Sequence, residues 1–279
     1  MADRVVESRS GIDINRILSY LVLISIGVLV LLPLIPILIW AFSERWFFPE
    51  IIPPEFTLKA WGYLAEPASG VAKAAVTGAT VAISATLISL AIGIPAGRAL
   101  GLYNFRGKKL VYFLILAPVI VPAIAAVMGI HVFFLRLGLA SQISGVTLSH
   151  LIGTVPYVVI VMSSVFANYD PEYEEQARSL GANTIRTFIH VTFPSIFAGI
   201  LVAGFFAFII SWGNYLLTLL ISGGRVITVP LLMVTFAYAR HHTFTAALCI
   251  IFLIPSILFL FITSKYLTGE SSALGGFGA

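Results

Sequence analysis

The chain of 279 residues is 59% hydrophobic and only 10% charged, with a mean hydropathy of +1.03. A soluble domain carries roughly 45–50% apolar and about 25% charged residues, so an ordinary water-soluble enzyme is excluded, and so is a disordered chain, which needs low hydrophobicity. Sixteen Lys+Arg against twelve Asp+Glu give a net charge of +4, which with so few charges points to the loops of a membrane protein rather than to a nucleic-acid surface, and a single cysteine, Cys249, excludes an intrachain disulfide.

The charges divide the chain into its elements. Six charge-free stretches exceed the roughly 18–20 residues needed to cross a bilayer as a helix, and they predict spans at 17–42, 74–101, 110–135, 147–167, 195–221 and 243–265. The first is too long for the apolar core of a signal peptide and has no small-residue cleavage site after it; Pro33 and Pro36 are read as breaks tolerated in a membrane helix. The second carries Gly93, Gly97 and Gly101 at four-residue spacing, which predicts a packing surface. The polar run Gly138–Gly145 delays the fourth helix to about Leu148.

An even number of spans puts both ends on one side, and the positive-inside rule selects which. With the N-terminus inside, ten basic residues fall on the inner side and six on the outer. The short loop 98–109 decides, because it holds Arg98, Arg106, Lys108 and Lys109 and no acid. Both termini are therefore expected in the cytoplasm. The outer loop carries Trp46, Phe47, Phe48 and Trp61, which fit an interfacial aromatic belt or contacts to an external partner.

Residues 168–194 form the longest inner loop. Asp170 and Pro171 suit the start of a helix. Glu172, Glu174 and Glu175 complement its dipole, and Glu174 and Arg178 stand i,i+4. Gly181 suits a left-handed cap, and Asn183 can cap a second short helix through Thr184–His190. Two short helices meeting at a rigid corner are expected. A helix resting on lipid headgroups would want Lys and Arg on its polar face instead.

The run Glu175-Gln176-Ala177-x3-Gly181-x9-Val191-x-Phe193-Pro194 resembles the EAA loop of binding-protein-dependent ABC importer permeases. Glu175, Ala177, Gly181 and Pro194 match at every spacing; Gln176 stands where the family has alanine. Supporting likenesses are Gly93–Lys108, Leu116–Pro122 and Ser211–Tyr215. The resemblance implies an all-α polytopic membrane protein with six transmembrane helices and a MetI-like permease core. The chain then divides into a cytoplasmic tail (1–16), a first helix (17–42), an external loop (43–73), the five-helix core (74–267) and a C-terminal tail (268–279). It also implies that Glu174, Glu175, Gln176, Ala177, Arg178, Leu180, Gly181 and Pro194 couple to a separate ATPase.

Polar groups inside spans are costly and become functional candidates. Ser211, Trp212, Asn214, Tyr215 and Thr218 could line a translocation path, with Gly213 loosening the helix, or could hydrogen-bond between helices. His131, Arg136 and His150 fit either the mouth of that path or interfacial positions. No Gly-x4-Gly-Lys-Ser/Thr loop is present, and no catalytic set or metal site is evident.

The expected function is a permease subunit of a prokaryotic importer in the cell (inner) membrane, not itself an enzyme. Its expected partners are two ATPase subunits that carry ATP and magnesium, a second permease copy or homologue, an external binding protein and membrane lipid, with no nucleic acid and no cofactor on this chain. Gly153–Tyr157 and Leu180-Gly181-Ala182 resemble the polyamine/phosphonate branch, which suggests a polyamine-like solute. The tail from Lys265 through Gly276 resembles sugar permeases, so a carbohydrate or polyol is the alternative. A proton-coupled transporter would want acids within its spans, and none lies there.

Overall fold

The computed structural model describes residues 14–44, 46–47 and 49–274; Arg4, Arg9, Arg45, Phe48 and residues 275–279 lie outside them. Among the described residues the chain is built of helices, with one isolated bridge pairing Ser43 and Phe56. Four helices are long and apolar enough to cross a membrane alone, and two bent pairs raise the number to six if each pair is one span.

Proline sets both bends. The first span is α1 (Ile14–Leu31) followed by α2 (Leu34–Ala41), inclined by 40° around Pro33. The third expected span, 110–135, is not one straight helix. It is α5 (Lys108–Ile120) and α6 (Ala123–Arg136), set at 96°. Pro122 supplies no N–H and disfavours helical backbone in the residue before it, and Val121 is accordingly extended at φ −70°, ψ 135°. Between the first and second spans lies a short helix, α3 (Lys59–Ala65), that the loop composition did not reveal.

The core of the bundle is α4 (Val71–Leu102) against α7 (Ile143–Ala167), with α10 (Phe193–Trp212) packed on both. The glycine spacing acts here as expected. A Cβ on Gly93, Gly97 or Gly101 would stand 2.4 Å from Val158, 2.5 Å from Met162 or 2.6 Å from Phe166, so the α4 backbone lies directly on the side chains of α7. Ser89 and Thr154 exchange a hydrogen bond of 2.6 Å across the same seam. Helix α7 starts at Ile143, five residues before the expected Leu148. Its polar first turns are buried, with Gly145, Thr147 and Ser149 packed inside the protein, so tertiary contact overrides their weak local signal.

The fifth expected span, 195–221, is interrupted. Helix α10 ends at Trp212, and after Gly213 the chain restarts as α11 (Tyr215–Ser222). Helix α12 (Val229–Tyr238), which begins at a Thr-Val-Pro turn, occupies the stretch between the fifth and sixth expected spans. The last helix, α13 (His242–Leu274), continues past the expected end at Lys265. Trp40, Trp46, Phe47 and His242 pack together where α2 meets α13. The Trp61 indole donates to the Ala41 carbonyl at 2.9 Å. The outer-loop aromatics named from the sequence that lie among the described residues therefore pack that loop onto helix ends.

Candidate functional site

The EAA loop folds as one short helix followed by the opening turns of the next long helix, and the second separate short helix expected through His190 does not form. Helix α8 (Glu172–Ser179) begins after Pro171, and the Asp170 carboxylate accepts the Glu172 N–H at 2.9 Å. It closes with two nested bonds, Ala182 N–H to the Ala177 carbonyl at 3.1 Å and Gly181 N–H to the Arg178 carbonyl at 2.9 Å. Gly181 sits at φ +85°, the left-handed conformation such a cap requires and one that side chains disfavour. Asn183 then caps α9 (Thr184–Thr187) by accepting the Arg186 N–H at 2.9 Å. A π-helical turn, Phe188–Thr192, joins α9 to α10 in one continuous span, with Pro194 in its first turn.

The faces of α8 differ sharply. Glu174 is buried at 5% exposure. Its two carboxylate oxygens each accept from the Arg98 guanidinium at 2.8 Å, Thr192 donates to the first at 2.8 Å, and Arg178 approaches the second at 3.4 Å. Arg98 stands near the end of α4, its guanidinium carbon 5.7 Å from the centre of the Phe166 ring of α7. Hydrogen bonds from Arg98 hold the Glu174 carboxyl below its ordinary pKa and outweigh the opposing effect of burial. The neighbouring Tyr169 phenol is pushed up by burial.

Glu172, Glu175, Gln176, Ser179 and Leu180 point the other way and form an open outward surface. Leu180 is 90% exposed on it. Of the residues that the sequence marked for coupling, Glu175, Gln176 and Leu180 thus share an outward surface and Arg178 and Gly181 are exposed beside it. Ala177 is half-buried, and Glu174 turns inward.

The polar break is a second cluster, between α7, α10 and α11. His150 is 1% exposed. Its Nδ1 lies 2.8 Å from the Ser211 hydroxyl and its Nε2 3.1 Å from the Thr218 hydroxyl, so one imidazole spans both sides of the break at Gly213. Asn214 accepts the Leu217 N–H at 3.1 Å and so caps α11. Trp212 is buried between Phe208 and Phe252 and donates to the Phe252 carbonyl at 3.0 Å. Tyr215 is half-buried. In this chain Ser211, Trp212 and Thr218 are enclosed by helices, and His150 is far more deeply buried than an interfacial position would be.

Residues 93–269 match the family of binding-protein-dependent transport system inner membrane components. The chain belongs to that family. The matched region covers the glycine seam, the whole EAA loop, the break and most of the last helix. Relatives include a probable ABC transporter permease, y4oR, of Sinorhizobium fredii, 28% identical over 77% of this chain and 79% of its own. The putrescine transport system permease PotI of Escherichia coli K12 is 28% identical over 70% of this chain and 67% of its own. The maltodextrin transport system permease MdxG of Bacillus subtilis is 26% identical over 68% and 70%. A bacterial ABC transporter that imports the acidic polysaccharide alginate has the same fold, with a TM-score of 0.69 over 95% of this chain and 99% of that one at 19% identity. The chain is an ABC importer permease subunit and a membrane protein, and its relatives are permease subunits of ABC transporters.

Sequence reasoning missed two members of these clusters as functional groups: Arg98 counted as a loop charge, and Thr192 carried no signal. His150 was expected at the path mouth or an interfacial position and lies instead inside the helix cluster. The partner of a lone arginine 76 residues away is set by packing and has no local pattern.

Proposed function

We propose that this permease couples to two ATPase subunits through the outward face of α8, and that it forms the path for a small solute handed over by an external binding protein. The observation that carries this reading is the exposed face itself. Leu180 and Tyr173 are large apolar side chains held out at 90% and 55% exposure beside Glu172 and Glu175. An apolar knob with carboxylates at its rim suits a protein groove better than water, and with two exposed acids and one exposed base it is a poor match for anionic lipid. ATP and magnesium bind the partner, whose closure pushes on α8 and tilts the helices above it; hydrolysis resets them. A second permease, identical or homologous, completes the path. Both termini lie in the cytoplasm, as the basic loop 98–109 argues.

The solute is a polyamine-like amine. This rests on Gly153–Tyr157 and Leu180-Gly181-Ala182, together with the likeness to a putrescine permease. The likeness to a maltodextrin permease favours a carbohydrate or polyol as the second reading. Copurification from native membranes, followed by mass spectrometry, should recover an ATPase and a binding protein. The reconstituted complex should then take up labelled putrescine only with ATP. Uptake by the purified chain alone, driven by an ion gradient, would refute the proposal, and ATP-driven uptake of maltodextrin without putrescine would select the second reading.

A further inference from the structure

We infer that Arg98 is a positioning residue that fastens α8 to the α4–α7–α10 block, so that force arriving at the loop moves the block instead of bending the loop. This rests on the coupling role proposed for α8 and adds the joint through which that role would act.

The loop needs such a joint. Helix α8 has eight residues, about 12 Å of helix, and a turn bounds it at each end. Asp170-Pro171 precedes it, and the left-handed Gly181 follows it. A short rod between two turns swivels when pushed unless something else holds it. Glu174 supplies the hold from the middle of the rod. Arg98 grips both of its oxygens from α4, and Thr192 grips one from the turn that opens α10. The same guanidinium lies over Phe166, so a single side chain touches α4, α7 and α8 together.

The block on the far side of the joint is stiff. Beside Arg98 and about one turn further along α4, Gly97 and Gly101 lie too close to Met162 and Phe166 for even a methyl group, which leaves no slack for α4 to slide over α7. Helix α10 is seated equally closely, since a Cβ on Gly199 would stand 2.4 Å from Val165. A displacement of α8 is therefore transmitted to three packed helices at once. The planar fork of arginine suits this task because two parallel bonds fix orientation as well as distance. Lysine would keep the charge and lose the second bond.

The test uses the reconstituted complex of permease, ATPase and binding protein with the variants Arg98→Gln, Arg98→Lys, Glu174→Gln and the double Arg98→Gln/Glu174→Gln. In Arg98→Gln the ATPase should still copurify, solute taken up per ATP hydrolysed should fall at least tenfold, and amide exchange in α8 should rise by a similar factor. Arg98→Lys should lie between this variant and the parent. The double variant should be no worse than either single one, because both remove the same joint. Should Arg98→Gln fail to accumulate, Arg98→Lys decides in its place. An unchanged ratio of uptake to hydrolysis would overturn the inference, and so would loss of the ATPase from the complex, which would make Arg98 part of the seating surface. If the parent chain retains no ATPase, it is the coupling role that fails. The exchange arm still decides the joint, and unchanged protection of α8 in Arg98→Gln would overturn it.

Discussion

At the loop end of the bundle, Glu174 is held by a guanidinium and a hydroxyl; in the bundle interior, Ser211 and Thr218 are held by one imidazole. Each cluster spans a place where the chain changes direction, and each attaches it to the α4–α7 core. The chemistry differs because the surroundings differ. Arg98 keeps 28% of its side chain exposed and can bear a charge that pairs with Glu174. The cluster around His150, all three members at 3% exposure or less, contains neither carboxylate nor guanidinium, as suits a site where a formal charge is expensive. A strong directional joint is affordable only near water; in the bundle interior the same task falls to fewer, neutral hydrogen bonds.

The largest effect is expected from Glu174→Ala. It leaves Arg98 half-buried without its partner, and breaking a buried pair costs about 3 kcal/mol. Denaturation of the purified protein should show that loss, with amide exchange rising in α8 first. Acid reaches the same state without a mutation. Because pairing lowers the folded-state pKa of Glu174, its contribution is complete above the ordinary glutamate value of about 4.3 and is lost as pH falls through the folded-state value. Arg98, whose pKa is raised by Glu174, stays charged throughout this range and Tyr169 stays neutral, so the transition belongs to Glu174. Release of α8 on acidification should therefore be absent in Glu174→Gln, which is already released at neutral pH.

Gly97→Ala comes next. The added methyl would meet the Met162 carbonyl carbon and the Ser163 nitrogen at 2.9 Å, and such overpacking costs about 2 kcal/mol, which should appear as a lower melting temperature. His150→Ala should cost only about 1 kcal/mol, since hydrogen bonds between membrane helices are each worth roughly 0.6 kcal/mol on average. An effect as large as that of Glu174→Ala would erase the contrast between the two clusters. Glu175→Gln is the smallest for stability, within about 0.5 kcal/mol as for other exposed sites, while ATP-driven uptake should fall severalfold.

Much of this was legible in the amino-acid order. The apolar segments followed from the positions of charge, the α4–α7 seam from glycines at four-residue spacing, and both ends of α8 and the start of α9 from Asp170, Gly181 and Asn183, whose capping chemistry is local. The bend at Val121-Pro122 was missed because Pro118, four residues earlier, is accommodated inside α5, and local sequence does not separate a tolerated proline from a breaking one. The split roles of Glu174 and Glu175 were also hidden. Adjacent residues on a helix point about 100° apart, and only the position of Arg98 on a distant helix decides which of the two faces inward.

The most direct test of the account is site-specific photo-crosslinking in native membranes, with the crosslinker placed in turn at Leu180 and at Thr192. These positions stand on the outward surface and beside the inward joint. Leu180 should yield an adduct with an ABC ATPase subunit, and Thr192 should yield only links within this chain. An intact complex in which Leu180 gives no ATPase adduct, or gives lipid adducts alone, would contradict the account.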